Sequence, residues 1–171
     1  GLSNITAGTT QQIECTIQAK LFPILINTIK TAPWHTAKEA MWTIANASEC
    51  KQGYIIHYLV LIGCIEGICL FLGRFIGTDQ HMNTRNIESV LQVLLQCMEN
   101  ILLIDNDNKY ADKFEEGNAF DVLEVLLTAY EFNNMQIVDM INHLLEKYFE
   151  DDDDYLHQES NDNNNNNDGV N

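Results

Sequence analysis

The stretch Lys38 to Ser48, KEAMWTIANAS, predicts a helix with two unlike faces. At about 100° per residue, Glu39, Trp42 and Asn46 stand at i, i+3 and i+7 on one stripe. Ala40, Met41, Ile44 and Ala45 fall opposite, small and apolar, as a helix packed among helices requires. The stripe holds an acid, an indole and an amide. It has no nucleophile with a base to activate it, so it is poor equipment for catalysis. It suits an extended basic peptide. The indole supports a Lys stem or a cation, the amide bonds a peptide N–H and C=O together, and the carboxylate pairs a Lys or Arg head. A lone Trp on a helix is more commonly a core residue, so the stripe needs corroboration.

An echo supplies it. Gly1 to Gly8 reads GLSNITAG, so Ser3-Asn4 matches Ala45-Asn46. The two Asn are 46 − 4 = 42 apart, inside the roughly 40–47-residue period of armadillo and HEAT repeats. Asn100 is a third echo, 100 − 46 = 54 on, with the surplus placed in the polar loop 77–85. There the stripe ends: Gln96 stands where Trp would be, and Val93 where the acid would be.

Outward from this helix the chain divides into short, medium and long helical stretches. Residues 1–8 read as a helix end closed by Gly8. Thr9 or Thr10 caps a short helix through Ala19. Leu21 to Lys30 follows, with Pro23 tolerable in its first turn. Thr31-Ala32-Pro33 breaks it before Trp34 to Ser48, and Trp34 is expected to pack in the loop. Gln52 to Ile62 and Cys64 to Ile76 join around Gly63, and Asn86 to Ile104 is the next long helix. A short helix ending at Gly117, then Phe120 to Phe132 and Met135 to Phe149, complete the pattern. The expected units are 9–48, 52–104 and 107–149, the last without a stripe, as a capping repeat would be. The tail 150–171, with its Asp151 to Asp154 run and its Asn run, is expected to be disordered. No strand alternation or phosphate loop interrupts the helices, so the expected fold class is all-α.

The chain carries 25 acids against 9 Lys and Arg, a formal net charge of −16. Such a balance repels nucleic acid and anionic membrane and attracts basic partners. The longest apolar stretch, Tyr54 to Ile76, is interrupted by His57, Glu66, Arg74 and glycines and reads as two buried helices. Cys15, Cys50, Cys64, Cys69 and Cys97 lack zinc spacing and read as reduced, buried hydrophobes. His35, His57, His81, His143 and His157 are scattered, so neither a metal nor a cofactor is expected. The chain begins without Met, inside an apparent helix, which suggests part of a longer protein.

These stretches together resemble the C-terminal armadillo repeats of importin-alpha. The matching segments are SNITAG at Ser3–Gly8, QIECTIQA at Gln12–Ala19, KEAMWTIANAS, IHYLVLIGCIEGIC at Ile56–Cys69 and LLEKYFEDDDD at Leu144–Asp154, in order. The resemblance implies a right-handed α-solenoid, here part of a longer superhelix, whose third helices line an inner groove. It implies a nuclear import adaptor that moves between cytoplasm and nucleus and binds basic nuclear-localisation-signal cargo. The implied peptide residues are Ser3, Asn4, Glu39, Trp42 and Asn46, a part of the minor signal site. Importin-beta would bind through an N-terminal segment outside this sequence. An export receptor of the CAS type would contact Glu115, Glu116, Lys147, Tyr148, Glu150, Asp151, Asp152, Asp153 and Asp154. The family usually has Gly where Lys20 stands, and the loop 77–85 is longer than usual. The rival reading is another armadillo scaffold that grips protein surfaces without recognising nuclear signals. An α-helical enzyme has little support, because no coupled titratable groups stand at identifiable spacing.

Overall fold

The computed structural model describes residues 9–77 and 84–149. Gly8, the loop core at 78–83 and the tail from Glu150 lie outside them. The described residues form helices and no strand. The helices are α1 (Thr10–Gln18), α2 (Leu21–Thr31), α3 (Trp34–Ser48), α4 (Gly53–Leu61), α5 (Cys64–Gly77), α6 (Thr84–Leu102), α7 (Lys109–Glu116), α8 (Ala119–Ala129) and α9 (Met135–Tyr148). They recur as short, medium, long, three times over.

Apolar spacing decides which helix meets which. Phe22, Leu25, Ile26 and Ile29 recur at helical intervals on α2 and are buried. Ile65, Ile68, Leu72 and Phe75 do the same on α5, and Phe120, Leu123 and Leu126 on α8. These second helices stack on one another, α2 on α5 and α5 on α8. The long third helices make a parallel row, α3 on α6 and α6 on α9. Packing between the two rows, α2 on α3, α5 on α6 and α8 on α9, encloses one continuous apolar core. Full burial of each such side chain contributes about 1.5–3 kcal/mol relative to exposure. The structure is therefore an all-α solenoid held by neighbour-to-neighbour contacts.

The corners are made by left-handed residues. Within each triplet the first helix turns into the second at Lys20 (φ 54°), Gly63 (φ 92°) and Asn118 (φ 57°). Lys51 (φ 51°) and Asn108 (φ 57°) turn one triplet into the next. Only Gly adopts this region without a steric cost, and Asn tolerates it better than Lys. The family's usual Gly at the Lys20 corner therefore has a conformational reason, and Lys20 carries the strain instead. Gly117 ends α7 as expected, with φ −83°, and leaves the left-handed turn to Asn118. A Cβ at Gly117 would meet the Cys69 Sγ at 2.5 Å, so this glycine serves close approach of α7 to α5.

Several polar side chains knit neighbouring triplets. The Arg74 guanidinium on α5 donates to the carbonyls of Ile29, Lys30 and Ala32 at 2.9, 3.1 and 2.9 Å. It thereby satisfies acceptors at the C-terminal end of α2, where a cation is also favoured by the helix dipole. Asp105 Oδ2 accepts from the N–H groups of Tyr110 and Ala111 at 2.6 and 3.1 Å, capping the start of α7. Glu88, buried on α6, accepts from the Asn133 N–H at 2.6 Å and holds the loop before α9. That loop is longer than expected, because α8 stops at Ala129: Tyr130 is extended, and its ring stacks on Phe132. Trp34 is also more than loop packing. It opens α3 and stacks on Phe71 with ring centroids 4.9 Å apart.

The apolar stretch 54–76 divides as expected, into α4 and α5, which meet at 71°. Among the described residues no single helix is long and apolar enough to cross a membrane. Of the five cysteines, Cys64, Cys69 and Cys97 are buried, Cys50 is half-buried and Cys15 is exposed. Burial as a small hydrophobe thus holds for three of them.

Candidate functional site

The site is built on α3. Pro33 precedes the helix with an extended ψ of 155°, its ring fixing φ for entry into the first turn. Ala37, Ala40, Met41, Ile44, Ala45 and Ala47 are buried, and the small alanines among them let α2 and α6 pack close on either side. Thr43, also buried, satisfies its hydroxyl by donating to the Glu39 carbonyl at 2.9 Å. Those contacts fix the rotation of α3. Glu39 is then exposed, while Trp42 and Asn46 are half-buried, the indole body packed against the core.

The expected stripe therefore exists as one surface on one helix. Lys38 adds to it. Its Nζ lies 6.0 Å from the Trp42 ring centroid and 3.8 Å from Glu39 Oε1. Ser3 and Asn4, expected to extend the stripe, lie outside the described residues.

On α6 the next rung is chemically different. Asn100 is 1% exposed and donates from Nδ2 to Ser48 Oγ on α3 at 3.2 Å. Ser48 in turn donates to the Ala45 carbonyl at 2.7 Å. Gln96, at the Trp position, donates to Asn100 Oδ1 and to Glu99 Oε2, each at 3.3 Å. Glu99 reaches His143 on α9, with Oε1 3.5 Å from Nε2. Gln92 likewise reaches Gln136 at 3.4 Å. Asn100 thus bridges α6 and α3. Where α3 offers a wall, α6 offers a satisfied amide network.

At the far end Glu115 and Glu116 are both exposed but serve different hollows. Glu115 lines one of about 260 Å³ with Asn118, Phe120, Asp121 and Phe149. Glu116 lines another of about 410 Å³ with Glu66, Cys69, Leu70, Lys113 and Gly117. Lys147 is exposed and lies 4.9 Å over the ring of its neighbour Tyr148. Glu150 and Asp151 to Asp154 lie outside the described residues. Sequence reasoning missed the Lys113–Glu66 pair, at 3.8 Å, and the contact of His57 Nδ1 with the Tyr110 hydroxyl, because both join helices far apart in the chain.

Burial pushes the Cys69 and Cys97 thiols up to about 12, and that of Cys64 well above its usual value. Such thiols are poor nucleophiles at neutral pH. Among the described residues no group of three or more His, Cys, Asp and Glu is placed to hold a metal ion.

Comparison with known proteins follows the same line. Importin subunit alpha-4 of Arabidopsis thaliana is 31% identical over 160 residues, 88% of this chain. Importin subunit alpha-5 of the same organism is 28% identical over 147 residues. The chain spans 27% of the length of each. A designed armadillo repeat protein, solved in complex with the peptide (KR)4, superposes with a TM-score of 0.62 at 25% identity. The match covers 85% of this chain and 54% of that one. The chain is an armadillo-repeat protein similar to importin alpha. No protein-family profile matches it. In this importin-alpha-like chain, α3, α6 and α9 are the third helices of successive triplets, and the Glu39–Trp42–Asn46 surface lies on the first of them.

Proposed function

We propose that this chain is part of a non-enzymatic nuclear import adaptor, and that α3 carries one rung of its site for basic peptides. The observation that carries the reading is the α3 surface itself. An exposed carboxylate, a half-buried indole and an amide stand on one stripe, backed by a packed core. A peptide Lys or Arg would lay its stem along Trp42 and bring its head to Glu39, while Asn46 bonds the peptide backbone. Ser3 and Asn4 would extend the site toward the preceding repeat. The repeats themselves are 9–48, 52–104 and 107–149.

The wider partners follow from the similarity to importin alpha subunits. Cargo would be proteins with Lys- and Arg-rich signals, and importin-beta would bind elsewhere on the whole adaptor. The export receptor would meet the C-terminal end, through Glu115, Glu116, Lys147, Tyr148 and the acidic Glu150 to Asp154. The whole protein would then move between cytoplasm and nucleus.

Titration with an alternating Lys/Arg octapeptide tests the site. Trp42→Ala with Asn46→Ala should weaken binding at least tenfold, and wild-type affinity should fall steeply with salt, since ion pairing supplies much of the attraction. Unchanged affinity in the double variant rules out α3 as the peptide rung. One observation favours a second reading, an armadillo scaffold that grips protein surfaces. The α6 rung is closed by the Gln96–Asn100–Ser48 network and presents no second wall. Under that reading the octapeptide binds no better than a neutral one.

A further inference from the structure

Lys38 stands between the two groups that the α3 surface would offer to a peptide cation. Its ammonium is 3.8 Å from Glu39 Oε1 and 6.0 Å from the Trp42 ring centroid, within reach of a cation–π contact. Its side chain is only 25% exposed, against 55% for Glu39, so the lysine lies along the surface. The spacing explains this: Lys38 and Trp42 are i and i+4 on one helix and face the same way. Three other cations are engaged elsewhere, Arg74 on the end of α2, Lys113 on Glu66 and Lys109 on Asp107.

We infer that Lys38 is an internal occupant of the Trp42 wall, which a peptide cation must displace before it can use Trp42 and Glu39 together. This rests on the peptide-binding reading above. The site is then self-competing: its apparent affinity is reduced by the fraction of molecules in which Lys38 covers the indole. An exposed cation–π contact of ordinary strength makes that reduction about three- to sixfold. The device also gives selectivity, because a peptide bearing a single cation gains little by replacing one ammonium with another. A peptide that engages several rungs at once overcomes the competition.

Two measurements on the full 171-residue chain test this. The first titrates the alternating Lys/Arg octapeptide at about 150 mM salt against wild type, Lys38→Ala, Lys38→Arg and Lys109→Ala. Lys38→Ala should bind about three- to sixfold tighter. Lys38→Arg should not gain, since it still covers the ring. Lys109→Ala removes the same charge away from the indole and should gain much less. The second measures acrylamide quenching of Trp42 emission in a Trp34→Phe background, without peptide. Quenching should rise on Lys38→Ala. Equal affinity of Lys38→Ala and wild type, equal gain in Lys109→Ala, or unchanged quenching each overturns the inference. If Trp42→Ala with Asn46→Ala abolishes binding while Lys38→Ala changes nothing, the peptide site stands and only the inference fails. If no variant binds, both fail together.

Discussion

Gly117→Ala isolates the contact that sets α7 against α5. The backbone at Gly117 (φ −83°, ψ 5°) is open to any residue, so alanine brings no torsional penalty. Chain entropy alone predicts a gain of about 0.4–1 kcal/mol, because alanine has less freedom to lose on folding. The new Cβ, however, would sit 2.5 Å from Cys69 Sγ and 2.9 Å from Cys69 Cβ. Rotating the thiol can relieve the first contact but not the second, which is fixed to the backbone of α5. The helices must separate by several tenths of an ångström, through a core in which Phe71, Leu72 and Phe114 are fully buried. Overpacking of this kind costs about 1–3 kcal/mol. The net expectation is a loss of about 1–2 kcal/mol. In a chain of this size that lowers Tm by about 2–8 °C. Urea denaturation followed by far-UV circular dichroism measures it, with a lower midpoint and an unchanged slope. Cys69→Ala should recover part of the loss in the double variant, since it removes Sγ and leaves Cβ. A Gly117→Ala protein as stable as wild type, or more so, refutes the reasoning, because the entropy gain would then be unopposed.

Lys20→Gly should stabilise the chain by about 0.5–1 kcal/mol, the left-handed strain at φ 54° exceeding the entropic cost of glycine; Lys20→Ala, which keeps the strain, should be near neutral in the same denaturation assay. Arg74→Met should lose about 2–3 kcal/mol, since three carbonyls at the end of α2 lose a charged donor in a partly buried place; amide exchange should quicken first in α2. Alkaline pH should destabilise the fold. Cys69 and Cys97 titrate near 12 when folded against an ordinary 9.0, so between those values the unfolded chain holds fewer protons. Their contribution is full below pH 9 and is lost as pH rises towards 12, and urea midpoints across that range measure the slope. At neutral pH a maleimide should label Cys15 first and leave Cys64, Cys69 and Cys97 untouched until the chain unfolds.

Legibility differed with the range of the interaction. The α3 helix and the sharing of one stripe by Glu39, Trp42 and Asn46 were readable, because both depend on a period of about 3.6 residues and on which side is small and apolar. The α4–α5 break at Gly63 was readable for the same local reason. The torsions of the other corners were hidden. Lys20, Lys51, Asn108 and Asn118 adopt left-handed torsions without a glycine to announce them, because packing of the flanking helices compensates the strain. Gly117 was readable as a helix stop, but not its close approach to a residue 48 positions earlier (117 − 69).

What the sequence determined by itself, then, is the series of amphipathic helices, their short–medium–long recurrence and the Trp-bearing stripe on α3. Only the tertiary structure decided what each polar group on those helices faces. Asn46 and Asn100 occupy matching places in sequence, yet one lies on a half-exposed stripe and the other is buried against Ser48. Lys38, unremarkable in sequence, lies against Trp42 and Glu39. Arg74, in the middle of an apolar run, closes the end of a helix in the preceding triplet. Helical periodicity is set by the backbone within a few residues, whereas hydrogen-bond and charge partners are set by which helices stack. In this solenoid the stacking brings together residues some 45 positions apart.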